Sequence, residues 1–178
     1  MEELKYKLTE ETFQVFGGST LYRIEALKDF GDVKKGDKGG FVENEDNLSQ
    51  NGNCWVYDDA TVYGKARVLD NAEVHGEATV RDNAMVYNDA KVYDYAEIRD
   101  DAVVNDNAEI FDNVVVDDYA MVYGNAKVYD YAEIHSVAEV YGNAEVYENA
   151  VIGGESKVCG DTEVCGDMEV FDNEYIYK

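Results

Sequence analysis

From Val56 to Ile176 an aliphatic residue returns every six positions, and all 21 slots hold Val or Ile. A second register runs two residues ahead of it: of the 16 slots from residue 60 to residue 150, 15 are Ala, with Val114 the exception. In a phrase such as Asn143-Ala144-Glu145-Val146-Tyr147-Glu148, the Ala and the Val share one parity and the residues after each, polar or aromatic, take the other. That is the period of a β-strand. Asp, Gly or Asn follows, then Asn, Asp or Tyr, and these are the residue types that turn a chain.

A strand-and-corner unit this short cannot bury its apolar edge alone, so the copies must stack into a solenoid with a continuous core. Three sides make a triangular coil of 18 residues. A hairpin meander would need chain-reversing turns between strands of ordinary length, and these strands are too short for it. The pattern predicts an all-β chain: a parallel β-helix over residues 41–178, about seven coils, behind an amino-terminal hairpin-and-loop cap over residues 1–40. The phrase Val-x-x-x-Ala-x resembles the hexapeptide repeat of left-handed β-helix proteins, a family that includes many trimeric acyltransferases. A left hand and a homotrimer are what that resemblance implies, since the crossover rule alone favours the right hand.

The front of the chain leaves the repeat. Thr12 to Leu27 alternates on both sides of Gly17-Gly18-Ser19, which predicts a hairpin, and Gly31 to Gly40 reads as a Gly- and Lys-rich loop. From Phe41 the register begins irregularly: Val42, Leu48 and Cys54 take the small slot, while Asn44 and Gln50 stand where Val belongs. A solenoid needs a cap over its open end, and this segment is placed to supply one. The runs Lys5 to Glu11, Asp29 to Gly36, Gly39 to Val42 and Asn47 to Asp58 are similar to the amino-terminal part of the YdcK-type hexapeptide-repeat proteins of bacteria. That group is labelled as acyltransferases on the basis of fold, and short repeat proteins of this kind also occur in phage and mobile-element genomes. The resemblance therefore implies an acyl-CoA-dependent activity and leaves a bacterial and a phage origin both open. At the far end the small slot loosens to Ser156, Thr162, Met168 and Glu174, as expected of a terminal coil.

Residues 18 apart stack about 4.8 Å from each other, which sorts the outward positions into ladders. One face carries Trp55, Glu73, Lys91, Glu109, Lys127, Glu145 and Glu163 beside an aromatic column of Tyr57, His75, Tyr93, Phe111, Tyr129 and Tyr147. Alternating charges and stacked rings on neighbouring strands stabilise a sheet. A second face brings Arg81 and Arg99 to adjacent rungs, close to Thr79 and in one column with His135. Two guanidiniums so close need a neutralising partner, either Glu97, Asp82 and Asp100 or a bound anion such as a carboxylate or a nucleotide-like phosphate. Arg81, Arg99, Thr79 and His135 are the candidate ligand-binding residues. The third face gathers Met85, Tyr87, Val103, Met121, Tyr123 and Tyr141 into an apolar patch, the candidate oligomer interface. Corner acids stack as well, Asp94, Asp112, Asp130 and Glu148 at one vertex and Asp82, Asp100 and Asp118 at another. They read as turn residues, with Ca²⁺ between rungs as the other reading.

Charge changes this picture. The 39 acidic and 15 basic residues leave a formal net charge of −24, which repels nucleic acid phosphates but leaves room for an acidic mimic that blocks a basic protein. Neither a membrane-length apolar run nor a signal-peptide pattern occurs, and no motif calls for a cofactor or metal. Cys54 takes an inward slot and Cys159 and Cys165 are expected outward on different sides, so no disulfide is expected and a reducing cytoplasm suits the chain. An acyltransferase needs a general base, normally His, yet His75 and His135 fall on different faces more than three coils apart. Without a shared catalytic site, the chain reads as a non-catalytic oligomeric binding or assembly protein that captures a small anionic ligand or a protein partner. An acyltransferase and a nucleic-acid mimic are the alternatives.

Overall fold

The structure, a computed structural model, describes residues 4–178. Its repeat region is a β-solenoid with strands of two or three residues, each paired in parallel with the strand 18 residues away, for example Lys91 with Glu109 and Val92 with Ile110. Two of its faces are seven-stranded sheets, and the third belongs to a ten-stranded sheet that the amino-terminal strands extend. Among the described residues there is no α-helix, and a 3₁₀ turn at Glu45–Asn47 is the one helical element.

The six-residue period works because of its corner. Two places after each Val or Ile, from Asp58 to Asp172, the backbone is left-handed without exception, with φ between 51° and 75°. Gly, Asn and Asp accept that conformation most readily and fill all of these corners except two, Ser136 and Glu148. The Ala that follows the corner donates its N–H back to the carbonyl three residues earlier, as Ala108 does to Asn105 at 3.2 Å, which closes the turn. From Ala60 to Ala150 the small slot is fully buried, Val114 included, and so is the aliphatic column from Val56 to Val158. Two columns thus fill the triangle, large residues along the sides and methyl groups where two sides converge.

Strands β1 (Tyr6–Gln14) and β2 (Thr20–Ala26) form the predicted hairpin, pairing Phe13 with Leu21 around the Gly17-Gly18 turn, with a bulge between Leu8 and Thr12. Strand β3 (Lys38–Val42) pairs antiparallel with β2 and parallel with Thr61–Val62, so the cap grows directly out of one solenoid sheet. The expected loop to Gly40 is therefore corrected: its last residues are strand. Gly39 and Gly40 are glycines for a steric reason, since a Cβ on either would lie 2.4 Å from the carbonyl oxygen of Val56 or Ala60. Trp55, read as an outward residue, is buried beneath Tyr6 and Phe30, which meet it edge-on at 6.1 Å and 5.3 Å. The irregular first coil is held by side chains in place of the missing aliphatics. Buried Asn47 donates to the carbonyls of Gly64 and Ala66, and Gln50 bonds the backbone of Lys5 and Tyr6. No helix among the described residues is long and apolar enough to cross a membrane.

Candidate functional site

The second face holds the candidate ligand site. Strand pairing puts Thr79, Glu97, Val115 and Glu133 in one column, and Arg81, Arg99, Asp117 and His135 take the outward positions two residues on. The structure gives each guanidinium carboxylate partners from the chain itself. Arg81 donates through Nε to Glu97 at 2.6 Å and through Nη1 to Asp82 at 2.5 Å. Arg99 donates to Asp117 through both Nε and Nη2, the shorter bond 2.7 Å, and lies 3.8 Å from Glu97. Asp117, one rung beyond Arg99 in the same column, is the partner that the sequence reading passed over; its position in the ladder was the available signal.

The four candidate ligand residues do not converge. Arg99 and His135 line a cleft of about 310 Å³ together with Val115, Asp117, Asp118 and Glu133. Arg81 is outside it. Thr79 faces a different cleft of about 390 Å³, beneath the hairpin, where its hydroxyl meets that of Thr61 at 3.1 Å and Phe13, Phe41 and Tyr63 supply the walls. Three carboxylates against one guanidinium give the Arg99 cleft an acidic character, which disfavours a phosphate-bearing guest. His135 contacts the Ser136 hydroxyl at 3.0 Å and tilts toward Phe171 at 5.6 Å, closing over Gly153. A Cβ at residue 153 would come within 2.3 Å of the His135 ring, so the absence of a side chain there is what lets the ring lie down.

His75 sits on another face, in contact with Glu73 at 3.1 Å and stacked on Tyr57 at 4.1 Å, with Tyr93 on its other side. The aromatic ladder continues with Phe111, Tyr129 and Tyr147 in nearly parallel stacks about 5 Å apart. Burial and the neighbouring glutamates push the hydroxyls of Tyr57 and Tyr93 up to about 12. Ion pairs join successive rungs, Lys91 to Glu73 and Lys127 to Glu109, each at 3.5 Å. The two His residues share no cleft, and the ring faces of the ladder are used against one another.

On the third face, Met85, Val103 and Met121 form a half-buried stripe on adjacent strands, flanked by Tyr87, Tyr123 and Tyr141. Tyr123 and Tyr141 stack at 4.9 Å, and the Tyr123 hydroxyl donates to Glu139 at 2.8 Å. Lys157 also donates to Glu139, at 2.6 Å, and these bonds hold its carboxyl below the usual range. Cys159 corrects an expectation: it is buried, with its thiol 3.3 Å from the Tyr175 hydroxyl. The three thiols are free, so no disulfide staples the coils.

At one vertex the corner acids serve the backbone, and at the other Asp118 does the same for Ser136, whereas Asp82 pairs with Arg81. The carboxylates of Asp94, Asp112 and Asp130 accept from the N–H of Asp112, Asp130 and Glu148, one coil later, and Glu148 does the same for Gly166 at 2.6 Å. Another vertex, after Asp106, Gly124, Gly142 and Gly160, carries an amide ladder, Asn107 to Asn125 to Asn143 to Asp161, each step 3.0 Å or less. Among the described residues no group of three or more His, Cys, Asp or Glu side chains is arranged to hold a metal ion.

No protein-family model matches the chain. It is similar to the "Uncharacterized acetyltransferase YdcK" of Escherichia coli (strain K12), with 41% identity over 70 residues, a match that takes in 35% of this chain and 22% of that protein. The chain thus covers about a fifth of the length of the curated relative it matches. That similarity and the stacked parallel sheets together give a hexapeptide-repeat β-helix protein similar to YdcK.

Proposed function

We propose that this protein is a non-catalytic β-helical assembly module that associates with copies of itself, as a homotrimer, through the Met85, Val103 and Met121 face. One observation carries the reading: a contiguous half-buried apolar stripe, edged by stacked tyrosines, lies on a chain whose formal charge is otherwise −24. A surface so charged keeps copies apart except where the charge is missing, and interfaces are depleted of charge and enriched in Met and Tyr at their centres. Threefold association of a triangular prism brings one flat side of each copy toward a common axis. Light scattering at micromolar concentration tests it: a trimeric mass supports the reading, and a monomer removes it.

The acyltransferase reading has one observation in its favour, the similarity to the E. coli protein whose name carries an acetyltransferase activity. Against it stand the acidic Arg99 cleft, which disfavours an anionic acyl-CoA, and the two histidines on separate faces. Product formation from acetyl-CoA and a panel of amine and hydroxyl acceptors, lost in His135→Ala, would favour the enzyme over the module.

A further inference from the structure

Two departures from the repeat meet under the cap. Cys54 occupies the small slot that Ala holds in most later coils, and Lys5 is a lysine only 1% exposed. The Lys5 Nζ lies 3.2 Å from the Cys54 Sγ, 2.9 Å from the Cys54 carbonyl oxygen and 3.4 Å from that of Asn51. The Phe30 ring covers the group, its centroid 5.1 Å from Nζ. Among the described residues no carboxylate pairs with this nitrogen, although the half-buried Arg81, Arg99 and Lys157 each have one. A lysine buried against carbonyls and a thiol is an expensive way to fill space, because its charge must be desolvated without a counter-ion. Burial lowers the Lys5 pKa and raises that of Cys54, because both charged forms lose solvation there.

We propose that Lys5 and Cys54 are a covalent modification site, joined by dioxygen into an Nζ–O–Sγ cross-link that staples the cap to the first coil. The step balances as Lys-NH₂ + Cys-SH + O₂ → Lys-NH-O-S-Cys + H₂O. One N–H, the S–H and the O–O bond break, N–O and O–S bonds form, and the second oxygen leaves as water with two protons. Nitrogen and sulfur each give up two electrons, and dioxygen takes the four. Geometry selects the bridge over a direct bond: one inserted oxygen nearly spans the existing gap with little motion, whereas an S–N bond would drag a packed side chain much further. Dioxygen is small and apolar, so the aromatic cover that excludes water and larger oxidants does not exclude it. The bridge closes a loop of 49 residues, a constraint on the unfolded chain of the kind that raises a melting midpoint.

Intact-mass measurement on the full chain in a Cys165→Ser background, held in air-saturated buffer or anaerobically with a phosphine reductant, tests the proposal. The expected result is a gain of about 14 Da in air, reversed by the reductant, with Lys5 and Cys54 recovered in one cross-linked species on peptide mapping. The oxidised form should melt several degrees higher than the reduced form, and Cys54→Ala, which installs the residue of the later coils, should lose both the mass gain and the difference in midpoint. An unchanged mass in air, a gain of about 16 or 32 Da confined to Cys54, or a loss of about 2 Da from a direct S–N bond would each overturn it.

Discussion

The carboxylate of Asp112 accepts the backbone N–H of Asp130, one coil later, at 3.3 Å, while its own backbone stands in the left-handed region at φ 60°. One side chain thus satisfies two demands of the corner: tolerance of positive φ and a partner for an N–H that the strand ladder leaves over.

Asp112→Asn keeps both properties and is expected to shift stability by less than about 0.5 kcal/mol. Asp112→Ala keeps neither and is expected to destabilise by about 1–2 kcal/mol. Urea titrations of the two variants against the unmodified protein check this; equal midpoints would mean that the corner does not depend on its residue type.

The interior sets the stability more than the charged exterior does. Val104 is fully buried, and Val104→Ala removes packed methyl groups from a core that cannot collapse around the gap, an expected loss of about 2 kcal/mol. Ala126 is fully buried next to its corner, and Ala126→Leu overpacks it by about 1–3 kcal/mol. Glu109→Ala, which removes only an exposed ion pair with Lys127, is expected to change stability by less than about 1 kcal/mol. Denaturant melts rank the three.

Met121→Lys adds a charge to the third face without touching the interior, because Met121 points outward while Val122 beside it is buried. Assembly should weaken at least tenfold, and the circular dichroism spectrum should stay unchanged. Sedimentation over a concentration series reads both species; a variant that assembles as well as the parent would place any interface elsewhere.

The Lys157 and Tyr123 bonds hold the Glu139 carboxyl below its ordinary range. A depressed pKa contributes stability that is present above the unfolded value and lost as pH falls through the folded one. Glu139→Gln is therefore expected to lower the melting midpoint at neutral pH, with the difference narrowing as pH drops through and below the ordinary carboxylate range. Calorimetric midpoints across that range check the sign; a gap that widens on acidification would refute it.

The fold was legible because its period is local. Val or Ile every six residues, Ala two places before and a left-handed-tolerant residue two places after specify side, vertex and turn within a single phrase, so strand register and ladder columns follow from counting alone. Even so, the ladder columns did not say which outward side chain would pair with which. Asp117 takes Arg99, Trp55 is covered by the cap, Cys159 is buried against Tyr175, and His135 closes over Gly153. Each depends on rotamers and on aperiodic segments that fold back over the helix, and neither is written in a period. The Lys5 and Cys54 contact is the extreme case: the two stand 49 positions apart in the chain, and only the docking of the hairpin onto the first coil brings nitrogen and sulfur together.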